Sequence, residues 1–125
     1  RIDYEFGVGW RYGMVRDVRA LPWGSGARTL GMWVYGDGNG AELRMRFTDK
    51  SGQTFQPDAG PIDWRGWKYV TYSLRGDAAG RWGGMNDGIV YWPIRIDAPV
   101  LIDNPGGRGV KGNIYVAAPV VMVEE

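Results

Sequence analysis

The chain has 125 residues, which suits one domain and leaves little room for a second. Its 15 basic and 14 acidic residues leave a net charge of +1, which argues against nucleic acid as a partner and against a charged, disordered tail. The absence of cysteine and histidine excludes a disulfide framework, the commonest general base, the Ser–His and Cys–His nucleophile pairs and the usual zinc and copper ligands.

Glycine is abundant at 21 residues, and 7 Trp and 7 Tyr accompany it. Many glycines and aromatics with few helix-formers predict short strands joined by tight turns. No apolar run approaches the roughly 18 residues of a membrane-crossing helix. The chain begins at Arg1 with no initiator Met and enters strand-like sequence at once. It therefore reads as a module excised from a longer protein, with any targeting signal outside it. A monomer is expected.

In chain order, strands are predicted at Ile2–Phe6, Met14–Leu21, Arg28–Tyr35, Ala41–Thr48, Gln53–Asp58, Gly66–Leu74, Ile94–Asp103 and Gly112–Val123. In the third, Leu30, Met32 and Val34 alternate with Trp33 and Tyr35, so both faces are bulky and a cover is expected over the second. Gly36–Gly40, rich in residues that tolerate positive φ, predicts a hairpin turn into the fourth strand. It lacks the Lys-Ser/Thr of a phosphate-binding loop. Asp49–Gly52 predicts a second hairpin, so the third to fifth strands form a meander. In the sixth, Trp67, Tyr69 and Thr71 alternate with Lys68, Val70 and Tyr72. The segment Arg75–Pro93 is long and glycine-rich, and reads as a functional loop.

Alternation is clearest in the fourth strand, where Leu43, Met45 and Phe47 oppose Glu42, Arg44, Arg46 and Thr48. The polar set can be a solvated face or the floor of a cleft, with Gln56 on the next strand extending it. Aromatic rings offer broad apolar faces that stack on the C–H face of a sugar, while neighbouring Arg, Glu, Asn and Gln pair with its hydroxyls. Trp82, Tyr91 and Trp92, with Asn86 among them, are candidates of that kind. Trp33, Trp64 and Trp67 lie in or beside strands, where core packing is expected. Trp10 and Trp23 are open to either role. Acid–base hydrolysis would need a carboxylate pair from Glu42, Asp58, Asp63, Asp87, Asp97 and Asp103, most of which sit at turns for backbone reasons. Asp3 and Glu5 alternate onto one face and are the candidate calcium ligands, without EF-hand spacing.

The stretches Leu30–Gly40, Leu43–Asp49 with Gly52–Phe55, and Ile62–Val70 together resemble the β-jelly-roll carbohydrate-binding modules of galactose-binding-like fold that accompany bacterial glycoside hydrolases. Asp3–Phe6 with Trp10 is similar to their acidic-aromatic first strand, and Gly112–Val116 to their last. The resemblance implies an antiparallel two-sheet sandwich of jelly-roll type, secreted, with a concave face lined by the fourth, fifth and seventh strands. It also implies non-catalytic binding of a polysaccharide of β-glucan or xylan type beside a linked catalytic domain. Where the family carries an acidic residue after its last Ile-Tyr-Val stretch, often a calcium ligand, this chain has Ala117 and Ala118. A structural calcium would then rest on Glu5 and backbone oxygens. The rivals are an ancillary domain that only packs on an enzyme, with Trp82 and Trp92 buried, and a small glycosidase or polysaccharide lyase.

Overall fold

A computed structural model describes residues 1–6, 11–15, 19–21, 27–76, 80–104, 110–117 and 120–123. Trp10, Trp23 and Ala118, singled out above, lie outside them. The described residues form two antiparallel sheets and no helix, a β-sandwich. The first sheet centres on β4 (Ala27–Asp37), which pairs with β8 (Arg65–Ser73) along one edge. Its other edge carries β11 (Val110–Val116) and β12 (Val120–Val123) end to end, and β1 (Ile2–Phe6) lies outside β11.

The second sheet centres on β10 (Ile94–Asn104) and β5 (Glu42–Thr48). β2 (Arg11–Val15) and β3 (Arg19–Leu21) share the far edge of β10. β6 (Thr54–Gln56) and β7 (Asp58–Pro61) share the far edge of β5, and β9 (Gly80–Trp82) pairs outside β6. Strands expected as single runs at Met14–Leu21, Gln53–Asp58 and Gly112–Val123 are each broken in two. Both pieces of each stay on one neighbour and in one sheet.

The core follows from the alternation. Leu30, Met32, Val34, Val70, Tyr72 and Ile114 from the first sheet face Leu43, Met45, Phe47, Phe55, Ile94 and Ile96 from the second, all nearly inaccessible to solvent. Phe47 stacks on Phe55 across the β5–β6 pair with centroids 5.0 Å apart.

Two local expectations need correction. Gly36–Gly40 is not a hairpin, because β4 and β5 belong to different sheets. Gly38 and Gly40 take positive φ so that the chain can cross between layers, and Asn39 Nδ2 fastens the crossing to the Lys111 carbonyl at 2.8 Å. The meander is thus reduced to the β5–β6 hairpin through Asp49–Gly52. The segment Arg75–Pro93 is not all loop, since it contains β9, and Trp82 is a strand residue.

Tyr72 is wholly buried and its hydroxyl has no hydrogen-bond partner among the described residues. Burial pushes its ionisation far above the ordinary value. Tyr72→Phe removes an unpaired buried polar group and is expected to raise stability by about 1–2 kcal/mol. Urea denaturation midpoints check this. A lower midpoint would mean that the hydroxyl is paired after all.

Candidate functional site

The outward face of β5 carries Glu42, Arg44, Arg46 and Thr48, half-buried in turn, while the residues between them go into the core. Gln56 comes alongside on β6. Arg46 Nη2 and Nε donate to Gln56 Oε1 at 2.8 and 3.3 Å. β9 adds Trp82 at the next position across, opposite Thr54. The Arg46 guanidinium carbon lies 5.1 Å from the centre of the Trp82 ring, a cation–π contact, and the indole is still 46% exposed. Five of the sequence-predicted residues, Glu42, Arg44, Arg46, Gln56 and Trp82, therefore share one face of one sheet.

The upper part of this face is a charge cluster. Arg44 Nη1 pairs with Asp103 Oδ2 at 3.1 Å, and its Nε lies 3.6 Å from Asp58 Oδ2. Asp103, directly across from Glu42, is almost completely buried, and its Oδ1 and Arg44 Nε have no hydrogen-bond partner among the described residues. Partial burial holds the Glu42 carboxyl above its ordinary value, and a hydrogen bond shared with Asp58 adds to this. At the lower end Thr48 donates to Asp97, which also accepts from Arg95 Nε at 2.8 Å.

Asn86, Tyr91 and Trp92 are placed elsewhere. The 83–92 segment folds onto the Asp49–Gly52 turn. Met85 N donates to Ser51 Oγ, Gly88 N to Gln53 Oε1 and Tyr91 N to Asp49 Oδ2, at 3.3, 3.0 and 3.2 Å. Gly84 permits this contact, since a Cβ there would collide with the Gln53 amide nitrogen. Asn86 is exposed at positive φ, Tyr91 donates its hydroxyl to Asp87, and Trp92 is half-buried against the core. These contacts fasten the segment to the turn.

Asp3 and Glu5 point outward from β1 as the alternation predicts, and Asp3 pairs with Arg1 at 3.0 Å. Among the described residues no group of three or more Asp, Glu, Cys or His converges to hold a metal.

One surface differs from the expectation of core packing. Trp33 and Trp67, expected in the core, are 49% and 55% exposed. With Tyr35, Tyr69 and Tyr115 they cover the outward face of β4, β8 and β11, all five partly open to solvent. Tyr115, Tyr35 and Trp67 form one cross-strand row with centroid steps of 5.9 and 5.3 Å. Trp33 and Tyr69 form another, 5.2 Å apart. Gly31 makes room for Tyr69, whose phenol would collide with a Cβ there. Parity held the signal: if Leu30, Met32 and Val34 go in, Trp33 and Tyr35 must go out. Trp64 does pack against the core, donating Nε1 to the Val34 carbonyl at 3.3 Å.

No protein-family model matches the chain, and no curated protein or solved structure matches it.

Proposed function

We infer that this domain is a non-catalytic module that binds polysaccharide. The observation that carries the reading is the Trp82–Arg46–Gln56 arrangement: an exposed indole with a guanidinium laid on its ring and clamped by a neighbouring amide. A sugar needs an apolar surface for its C–H face and aligned hydrogen-bonding groups for its hydroxyls. Arg46 is already held, so binding forfeits less of the roughly 0.5–1.5 kcal/mol that ordering such a side chain costs.

An extended β-linked glycan of the β-glucan or xylan type suits a site spread over three adjacent strands. The resemblance to jelly-roll carbohydrate-binding modules supports a jelly-roll connectivity, secretion and a linked glycoside hydrolase. Tethering then raises the enzyme's effective concentration at its substrate. The reading requires no metal.

The carboxyl cluster favours binding over hydrolysis. A glycosidase keeps its two carboxyls about 5 Å or more apart so that the scissile bond fits between them. Glu42 and Asp58 instead share a hydrogen bond, and Asp103 is tied to Arg44.

Affinity electrophoresis in gels containing soluble xylan or soluble β-glucan tests the proposal. The parent should be retarded by at least one of them. Trp82→Ala and Arg46→Ala should each weaken retention about tenfold, the equivalent of roughly 1.4 kcal/mol. A parent that runs unretarded in both gels would refute glycan binding of this class. Equal retention of the parent and both variants would move the site elsewhere.

A further inference from the structure

We propose that the aromatic face of β4, β8 and β11 is a second sugar-binding surface, on the sheet opposite Trp82, and that it takes a single extended polysaccharide chain. This rests on the reading of the domain as glycan-binding.

The composition of the face comes first. Outward positions with described side chains include Trp33 and Tyr35 on β4, Trp67, Tyr69 and Thr71 on β8, and Lys111, Asn113 and Tyr115 on β11. The exposed large apolar side chains among them are all rings, and each ring carries a phenol or indole donor at its edge. A surface that is apolar in its faces and polar at its edges has the same amphipathic character as a pyranose. Arg1, whose guanidinium lies 6.0 Å from the Tyr115 ring centre, and Asp3 add fixed polar groups at one end.

Area argues against a protein occupant. The rings are 37–55% exposed. With aromatic side chains offering about 150–250 Å² each, the five present on the order of 400–500 Å². That is roughly half of the ~800 Å² that each side of a stable protein complex buries. It is still a large apolar patch to leave in water without a use.

Ring angles then select among glycans. Tyr35 stands at 82° to Trp67 and 90° to Tyr115, and Trp33 at 66° to Tyr69. The rings are edge-to-face and form no common plane. The two rows are separated by two residues of strand, about 6.7 Å. A corrugated surface of this kind seats one chain between standing rings, and it fits poorly against the flat plane of a crystalline polymer. Sites on opposite sheets let one domain bridge two chains.

The test uses the whole 125-residue protein with soluble xylan, soluble β-glucan and a crystalline β-glucan. The variants are Trp33→Ala/Trp67→Ala, Trp67→Phe and Trp82→Ala. These rings are exposed, so thermal unfolding should shift little, which establishes that the variants are folded. The double variant should lose about tenfold or more in apparent affinity for the soluble polymer, while Trp67→Phe keeps most of it. Trp82→Ala should retain measurable binding through the remaining face, and the crystalline polymer should not pull the parent down. If the double variant binds as the parent does and Trp82→Ala abolishes binding, the second face is refuted and the glycan reading stands. If the parent binds neither soluble polymer, the glycan reading itself fails. A parent that dimerises in sedimentation velocity, with Trp67→Ala monomeric, would assign the face to self-association and overturn the proposal.

Discussion

Replacing Gln53 with alanine is expected to cost roughly 3–5 kcal/mol of folding stability. Gln53 is completely buried, yet its side chain is richly bonded. Nε2 donates to Asp49 Oδ2 and to the Ile89 carbonyl at 3.2 and 3.0 Å, and Oε1 accepts from Gly88 N at 3.0 Å. Alanine would leave those partners unpaired in a place water enters with difficulty, at about 1–3 kcal/mol for each. The Asp49 carboxylate also accepts from Ser51 N and Oγ and from Gln53 N, at 2.9, 2.7 and 2.9 Å. Burial works against its charge, but the hydrogen bonds from Ser51, Tyr91 and Gln53 outweigh it and hold the carboxyl below its ordinary value.

The sign of the pH effect follows. A carboxyl whose folded pKa is depressed contributes stability above its unfolded pKa, and that stability is lost as pH falls through the folded value. The penalty of Gln53→Ala should therefore be largest near neutral pH and shrink below about pH 4. Urea denaturation at the two extremes measures it. Equal midpoints for parent and variant at neutral pH would show that the network does not hold the 83–92 segment to the sandwich.

Arg44→Ala should destabilise the domain by about 3–5 kcal/mol, because it leaves a buried carboxylate without its counter-charge. The Asp103 side chain is only 2% exposed, and Arg44 Nη1 at 3.1 Å is its ion-pair partner. The Asp103 contact gives Arg44 a structural role beside its place on the candidate cleft floor, so Arg46 and Trp82 are the cleaner probes of binding. Adding Asp103→Asn to Arg44→Ala removes the stranded charge and should recover part of the loss, so a double-mutant cycle isolates the pair. An Arg44→Ala variant as stable as the parent would mean that Asp103 reaches water or another partner.

Much of the sandwich was legible in the residues, because burial obeys parity. Leu43, Met45 and Phe47 identified the inward face of β5, and Glu42, Arg44 and Arg46 the outward one. The Asp49–Gly52 turn was legible from its composition. Gly36–Gly40 looks equally like a hairpin, since positive-φ residues let a chain turn or change layer, and nothing local says which sheet receives the next strand. β9 leaves no signal in the sequence, because three residues are too few to show a period. Trp33 and Trp67 face outward against their residue type, because strand parity decides the face. The Arg44–Asp103 pair joins residues far apart in the chain and depends on the β5–β10 register, which no short segment encodes.

The most direct test of sugar recognition by exposed rings is a titration of the indole N–H resonances of the ¹⁵N-labelled domain with soluble xylo- and gluco-oligosaccharides. Trp82 should shift saturably with at least one of them. Trp64, packed against the core with its N–H on the Val34 carbonyl, should stay in place. A spectrum in which no indole responds to any oligosaccharide would contradict the account.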